Sequence, residues 1–461
     1  MRVLRLIEVQ RARECIVASC ALDDLRFHVT VWYEDVDLDA LAARHGAELL
    51  DRIAFHVAMF QLNAVASLRP DAIELGAYAR FATPAFVALW RTVFKKVWGQ
   101  WRWEHQLPDY GGPTFIDLSA TVAPARPGGV ERGEVDWLVF CGGGKDSLVA
   151  LELFERGGLR FATLGYSHSI YGQAAPQHAL LERVAGATGR ARAERQWIVD
   201  DFLDAPVVAL RPSLGVRSVL AAETPASVFA ALPIALARGY RGLVVAHEHS
   251  ANTGNLVWEA TGEEVNHQWG KGWEAEQLLD AYVQRELVGG VRYFSVLQPV
   301  HDEVIFELLA RDAALAPNTH SCNVQKPWCG ACAKCAYVWL QMSAHLPAEI
   351  VAKTFAGRGD LGERPENLRW FRELLGLAEH SPFECVGSPT EARLALAMLA
   401  AKRPLGRQLT ALAVEVGAID VPALARPLLD VAETHGMPDE VAAAIMPQLR
   451  DAAAQAKRRL G

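Results

Sequence analysis

No stretch of this 461-residue sequence approaches the roughly 18 uninterrupted apolar residues that a transmembrane helix requires; the run near Val228 to Leu236 is short and contains Pro233. The opening residues, Met1 to Gln10, mix charges into their apolar positions and offer no continuous apolar segment for a secretory signal. The expectation is a cytoplasmic protein that does not enter a membrane. Positive charge is in short supply too: 46 Lys and Arg stand against 54 Asp and Glu, a formal net charge of −8. That balance argues against a protein that coats nucleic-acid phosphate, so an anionic small molecule must meet locally gathered positive charge. Internal repeats and low-complexity tracts are missing. What is there is 51% hydrophobic and 22% charged residues, the mixture of an ordinary globular protein. The length suggests about three domains.

Residues 1–130 mix strand-like pieces, such as 27–32, with helical stretches, such as 54–62, and read as an N-terminal α/β domain. Near its end Trp90, Trp98, Trp101 and Trp103 interleave with Arg91, Lys95, Lys96 and Arg102. Such a stripe can stack a base or sugar, but aromatic residues on a helix more often form core or a domain contact. The Pro- and Gly-rich stretch 123–133 reads as a linker. From Val135 short apolar runs at 137–140, 161–166, 196–199 and 243–246 alternate with helical segments. They predict an α/β fold with a Rossmann-like parallel sheet over 131–350. Residues 351–461 read as helical, and SerProThrGlu at 388–391 has the spacing of a capping box with Pro at the first helical position.

The strongest motif is the run 137–154: a buried-type strand, the turn Gly142-Gly143-Gly144-Lys145-Asp146-Ser147, then a helix. Glycines let backbone N–H groups approach a ligand, and the helix that follows offers its positive end to an anion, phosphate above all. Lys145 adds a point charge and Ser147 a donor, while Asp146 can orient the loop or help to hold magnesium. Because the loop lies at a strand end, Asp146→Asn and Lys145→Ala are expected to leave a folded protein. The motif is neither GxGxxG nor GxxxxGK[ST].

The loop resembles the PP-loop of the N-type ATP pyrophosphatases, SerGlyGlyXaaAspSer, with Gly142 replacing the leading Ser. The resemblance implies binding of ATP with magnesium, adenylation of a substrate oxygen and departure of pyrophosphate.

Ligands in doubly wound sheets bind beyond the carboxyl ends of the strands. Two segments there are unusually polar: 167–172, with His168, and 247–255, with His247, Glu248, His249, Asn252 and Asn255. His and Glu are readily tuned for proton transfer near neutral pH, although a solvated loop explains the polarity equally. The segment 265–274 offers His267 and Lys271 to an anionic group; Arg211 and Arg217 are weaker candidates. The thiols Cys322, Cys329, Cys332 and Cys335 are spaced C-x6-C-x2-C-x2-C, which favours a structural zinc and leaves an iron–sulfur cluster or four reduced cysteines open. The 7-cyano-7-deazaguanine synthases carry a similar cysteine run.

Taken together, the glycine loop, the 247–255 and 266–271 segments and the cysteine run resemble the UDP-N-acetylmuramoyl-L-alanyl-L-glutamate epimerases of peptidoglycan synthesis. The resemblance implies ATP-dependent inversion of the terminal L-glutamate through an acyl-adenylate, with AMP and pyrophosphate released. Such an enzyme needs a phosphate cradle, magnesium and one or two bases near the α-carbon, for which Asp146, Glu248, His249 and His247 are the candidate catalytic residues in this sequence. His168, Asn252, Asn255, His267 and Lys271 would then contact a UDP-muramoyl dipeptide. The chemistry gives a reason: a carboxylate resists loss of its α-proton because a second negative charge would build beside the first, and adenylation removes that obstacle. His247 or His168 can replace either expected base. The alternatives are a PP-loop ligase acting on a deazapurine or a tRNA base, and an ATP-binding sensor without turnover. Oligomeric state is not legible.

Overall fold

The computed structural model describes residues 1–118, 127–202, 204–205 and 222–460. Arg211, Arg217 and part of the expected linker lie outside the described residues. Fourteen strands are described: β1 (Val3–Ala12), β2 (Cys15–Leu22), β3 (Leu25–Tyr33), β4 (Ala72–Glu74), β5 (Thr114–Phe115), β6 (Gly128–Gly129), β7 (Trp137–Cys141), β8 (Phe161–His168), β9 (Arg192–Asp200), β10 (Gly242–Val245), β11 (Leu256–Trp258), β12 (Glu263–Val265), β13 (Val288–Gly289) and β14 (Arg292–Ser295). Ten of them form one sheet in the order β14-β10-β7-β8-β9-β3-β2-β1-β4-β5. The five from β14 to β9 are mutually parallel. β9 then pairs antiparallel with β3, and β3, β2 and β1 run as an antiparallel meander. The expected α/β class with a mostly parallel sheet is therefore observed. The N-terminal strands extend the same sheet through β3 and β9, and the edge strand β14 had no counterpart among the strand expectations.

Alternation along the strands shows both faces covered, as parallel strands require. In β7, Leu138 and Phe140 enter one core while Trp137, Val139 and Cys141 enter the other. Helices Ala47–Gln61, Glu223–Arg238 and Trp273–Tyr282 cover the first face; Lys145–Arg156, Asp302–Arg311 and Ala333–His345 cover the second. The C-terminal region is helical as expected. Its last helix, Asp439–Leu460, packs on the second face, where Gln448 donates to the Leu153 carbonyl (3.0 Å). The capping box forms: Ser388 Oγ accepts from Glu391 N, and Glu391 Oε2 accepts from Ser388 N. Trp90, Trp98 and Trp101 are core, and Trp103 packs on Phe383 at 5.3 Å, so the aromatic stripe serves packing. No single helix among the described residues is long and apolar enough to cross a membrane.

Candidate functional site

Counted along the chain from β7, the parallel half has the order 3-2-1-4-5, so its winding reverses between β7 and β10. That switch point is where a doubly wound sheet opens a crevice at its carboxyl edge. The glycine loop leaves β7 there, the 247–255 segment leaves β10 beside it, and the loop 296–301 leaves the neighbouring β14.

Gly143 sits at φ +85°, and a Cβ on it would lie 2.0 Å from the His320 ring; a Cβ on Gly144 would meet Ser321 Oγ at 2.9 Å. These two glycines are therefore required by the segment packed against the loop, which His320 N–H also ties to the Gly143 carbonyl (2.8 Å). Gly142 faces open space and donates its N–H to Ser147 Oγ (3.1 Å). Lys145 is 2% exposed, and its ammonium bonds Asp146 (2.5 Å) and Asp302 (2.6 Å). Burial alone would lower this amine, but Asp146, Asp302 and Glu248 outweigh it and raise it. Burial likewise acts to raise Asp146, yet Lys145, Lys334 and Lys271 hold its carboxyl below the ordinary range. The expectation of a lysine outside the core is thus corrected: Lys145 is a buried ion-pair centre. Asp302 also accepts from the Tyr337 hydroxyl (2.6 Å), and burial pushes it up.

Around this centre the polar loops divide by role. Glu248 is 4% exposed and its carboxylate faces Lys145 and Lys271. Lys271 faces Cys385, Glu248 and Asp146, which raise it against the effect of burial. His247 is driven down to about 3 by burial, with Lys271 adding to the effect. His249 Nδ1 bonds the Gln298 carbonyl (3.0 Å), and burial, then His301, lower it. Asn252 braces His249 O and Gln298 while accepting from Trp273 N; Asn255 ties Pro382 O to His267 N; His267 Nδ1 meets Gln100 at 2.6 Å. His168 spends Nδ1 on Ile170 N and Nε2 on Asp200 (3.2 Å). Asn252, Asn255, His267 and His168 thus hold segments together, while Asp146, Glu248, His247 and Lys271 face one another and His249 lies against the His301 ring at 4.6 Å.

Asp302, Tyr337, His301 and Glu391 belong to the same cluster and were not singled out for chemistry in the sequence. The readable signal was HisAspGlu at 301–303, a polar step a few residues beyond the apolar run of β14.

The four cysteine sulfurs lie within 4.8 Å of one another, with the pairs Cys322–Cys332 and Cys329–Cys335 at 3.8 Å. Thiolates at 2.3 Å around a tetrahedral ion are about 3.8 Å apart. Backbone N–H groups of Val324, Gln325, Gly330, Ala331 and Cys335 each point at a sulfur at 3.4 Å, as charged thiolates require. The cluster fits one metal ion. It begins directly after His320 and Ser321, the two residues that press on the glycine loop.

A doubly wound sheet that gathers buried amines, carboxylates and imidazoles at its switch point has the build of an enzyme for a small polar substrate. Family models described as the MurL N-terminal domain and the MurL C-terminal domain match residues 224–296 and 317–421. A UDP-N-acetyl-alpha-D-muramoyl-L-alanyl-L-glutamate epimerase of Micromonospora sp. is 32% identical over 323 residues, 68% of each chain. Proteins of the same name from Salinispora tropica (31%; 68% of this chain, 66% of that one) and Xanthomonas oryzae pv. oryzae (31%; 79% and 76%) are similar as well. No solved structure matches. The chain belongs to this family of epimerases, and is thereby an isomerase.

Proposed function

We propose that the protein inverts the terminal L-glutamate of UDP-N-acetylmuramoyl-L-alanyl-L-glutamate, in the cytoplasm and for peptidoglycan synthesis, at the expense of ATP. The observation that carries the reading is the glycine loop opening a helix at the switch point, directly beside the polar loop of β10, in a chain of the epimerase family. In this reading residues 142–147 form a PP-loop that cradles the ATP phosphates at the N-terminus of helix Lys145–Arg156. Asp146 is kept ionised by its lysines and would help to hold magnesium, which would screen phosphate charge. Lys271 attracts the substrate's carboxylates. Glu248 and His249 handle the α-proton once adenylation has neutralised the adjacent carboxylate, with His247 at their side. The cysteine cluster holds structural zinc. Residues 131–350 form the catalytic unit between the N-terminal α/β domain, 1–130, and the helical region, 351–461.

The test is incubation with the UDP-muramoyl dipeptide, with and without ATP and magnesium. D-glutamate and pyrophosphate appearing together, and only with ATP, is the expected result. Inversion at full rate without ATP would overturn the reading.

A further inference from the structure

We infer that His301 is a proton-transfer residue of this site and that Glu391, from the C-terminal helices, is its positioning residue. The inference rests on the epimerase reading above. His301 lies beyond the carboxyl end of β14 and immediately precedes Asp302, the partner of Lys145. It occupies the N-cap position of helix Asp302–Arg311, yet its ring makes no capping hydrogen bond. Nδ1 is 3.1 Å from Ser250 Oγ and 3.6 Å from Glu391 Oε1.

The partners fix the tautomer. Glu391 is 0% exposed, and as a carboxylate it can only accept: from Ser250 Oγ (2.6 Å), Asp302 N (2.9 Å), Ser388 N (2.6 Å) and Ser388 Oγ (2.9 Å). Ser250 therefore gives its one proton to Glu391 and can only accept from His301, so Nδ1 carries the imidazole hydrogen and Nε2 the lone pair. The polar contacts of the ring among the described residues are all made by Nδ1, and the side chain is 21% exposed. A buried carboxylate and hydroxyl on one nitrogen with the other left open is the arrangement of an oriented general base. His168, with both nitrogens engaged, lacks it, and His249 and His267 meet neutral oxygens instead, so His301 takes the place proposed above for His249 as the imidazole base paired with Glu248. In the step, the glutamate Cα–H bond breaks as the Nε2–H bond forms, and the electron pair passes to the acyl oxygen of the adenylated carboxyl. The imidazolium then faces Glu391, and the proton for the opposite face comes from solvent, relayed through a second group, Glu248.

The test measures deuterium entry at the glutamate α-carbon in heavy water alongside ATP–pyrophosphate exchange, using the full chain and the UDP-muramoyl dipeptide. His301→Gln should lower deuterium entry by a factor of about 100 to 10,000 while pyrophosphate exchange persists. Added imidazole should restore part of the entry to His301→Ala. Glu391→Gln should lower kcat for deuterium entry and leave KM near the parent value. Deuterium entry at the parent rate in His301→Gln, or equal loss of both exchanges without imidazole rescue, would overturn the inference and leave the proposed function standing. Absence of both exchanges in the parent protein would overturn the proposed function itself.

Discussion

The glycine loop and the His301 cluster each hold polar side chains still, but from different materials. The loop is six consecutive residues shaped by a positive φ, a helix start and the two residues packed on it. The His301 cluster joins segments far apart in sequence; Ser250 and Glu391 are 141 positions apart, and their carboxylate is sealed from solvent. Backbone geometry survives most side-chain changes nearby, whereas a network of buried charges fails when one member is removed, because the remaining partners lose their compensation. Lys145 belongs to both regions: it is part of the loop motif, and its amine neutralises carboxylates from two elements.

The comparison can be broken first at the cysteine cluster. Cys322→Ser, or removal of metal by a chelator, should cost the most, since metal-binding free energy is folding free energy, and should loosen the segment that presses on Gly143. Elemental analysis beside thermal unfolding checks it, and protein purified without chelator that carries no metal would contradict it.

Next comes Lys145→Ala, which leaves Asp146 and Asp302 without their countercharge. It should cost about 3–5 kcal/mol in denaturant unfolding and abolish pyrophosphate release, whereas Asp146→Asn should abolish release with a far smaller loss of stability. Equal stability of the two variants would place Lys145 in solvent.

A third, milder effect concerns Glu276, below the β14 edge, whose Oε2 accepts from Ser295 N (3.0 Å). Burial pushes its carboxyl up from 4.5 to about 8. The folded state therefore holds the proton more tightly than the unfolded chain, and this contribution to stability is full below about 4.5 and is lost as pH rises through about 8. Glu276→Gln should flatten the decline in melting temperature across that window; an unchanged slope would assign the decline elsewhere. The smallest effect is Ser388→Ala, about 0.5–2 kcal/mol from the lost cap, with a modest fall in deuterium entry as Glu391 loosens.

How much of this was legible follows from the same contrast. The strand, triple glycine and helix of residues 137–154 are contiguous, so the loop and its place at a strand end could be read directly, as could the cysteine spacing and the capping box. The burial of Lys145 was hidden because its second partner, Asp302, is 157 positions away. Glu391 was visible only as a cap; that the same carboxylate also holds Ser250 and Asp302 depends on tertiary packing, on which sequence spacing is silent. His301 escaped because β14 itself, four residues long at the sheet edge, escaped.

The central claim is that activation and inversion are two steps at one switch point, the first at the glycine loop and the second at the imidazole–carboxylate cluster. It is tested most directly by counting, in heavy water with ATP and magnesium, the pyrophosphate released and the deuterium found at the α-carbon of each D-glutamate formed from the UDP-muramoyl dipeptide. The account predicts one deuterium and at least one pyrophosphate per D-glutamate, with Asp146→Asn losing both. D-glutamate that forms without solvent deuterium, or without pyrophosphate, would contradict it.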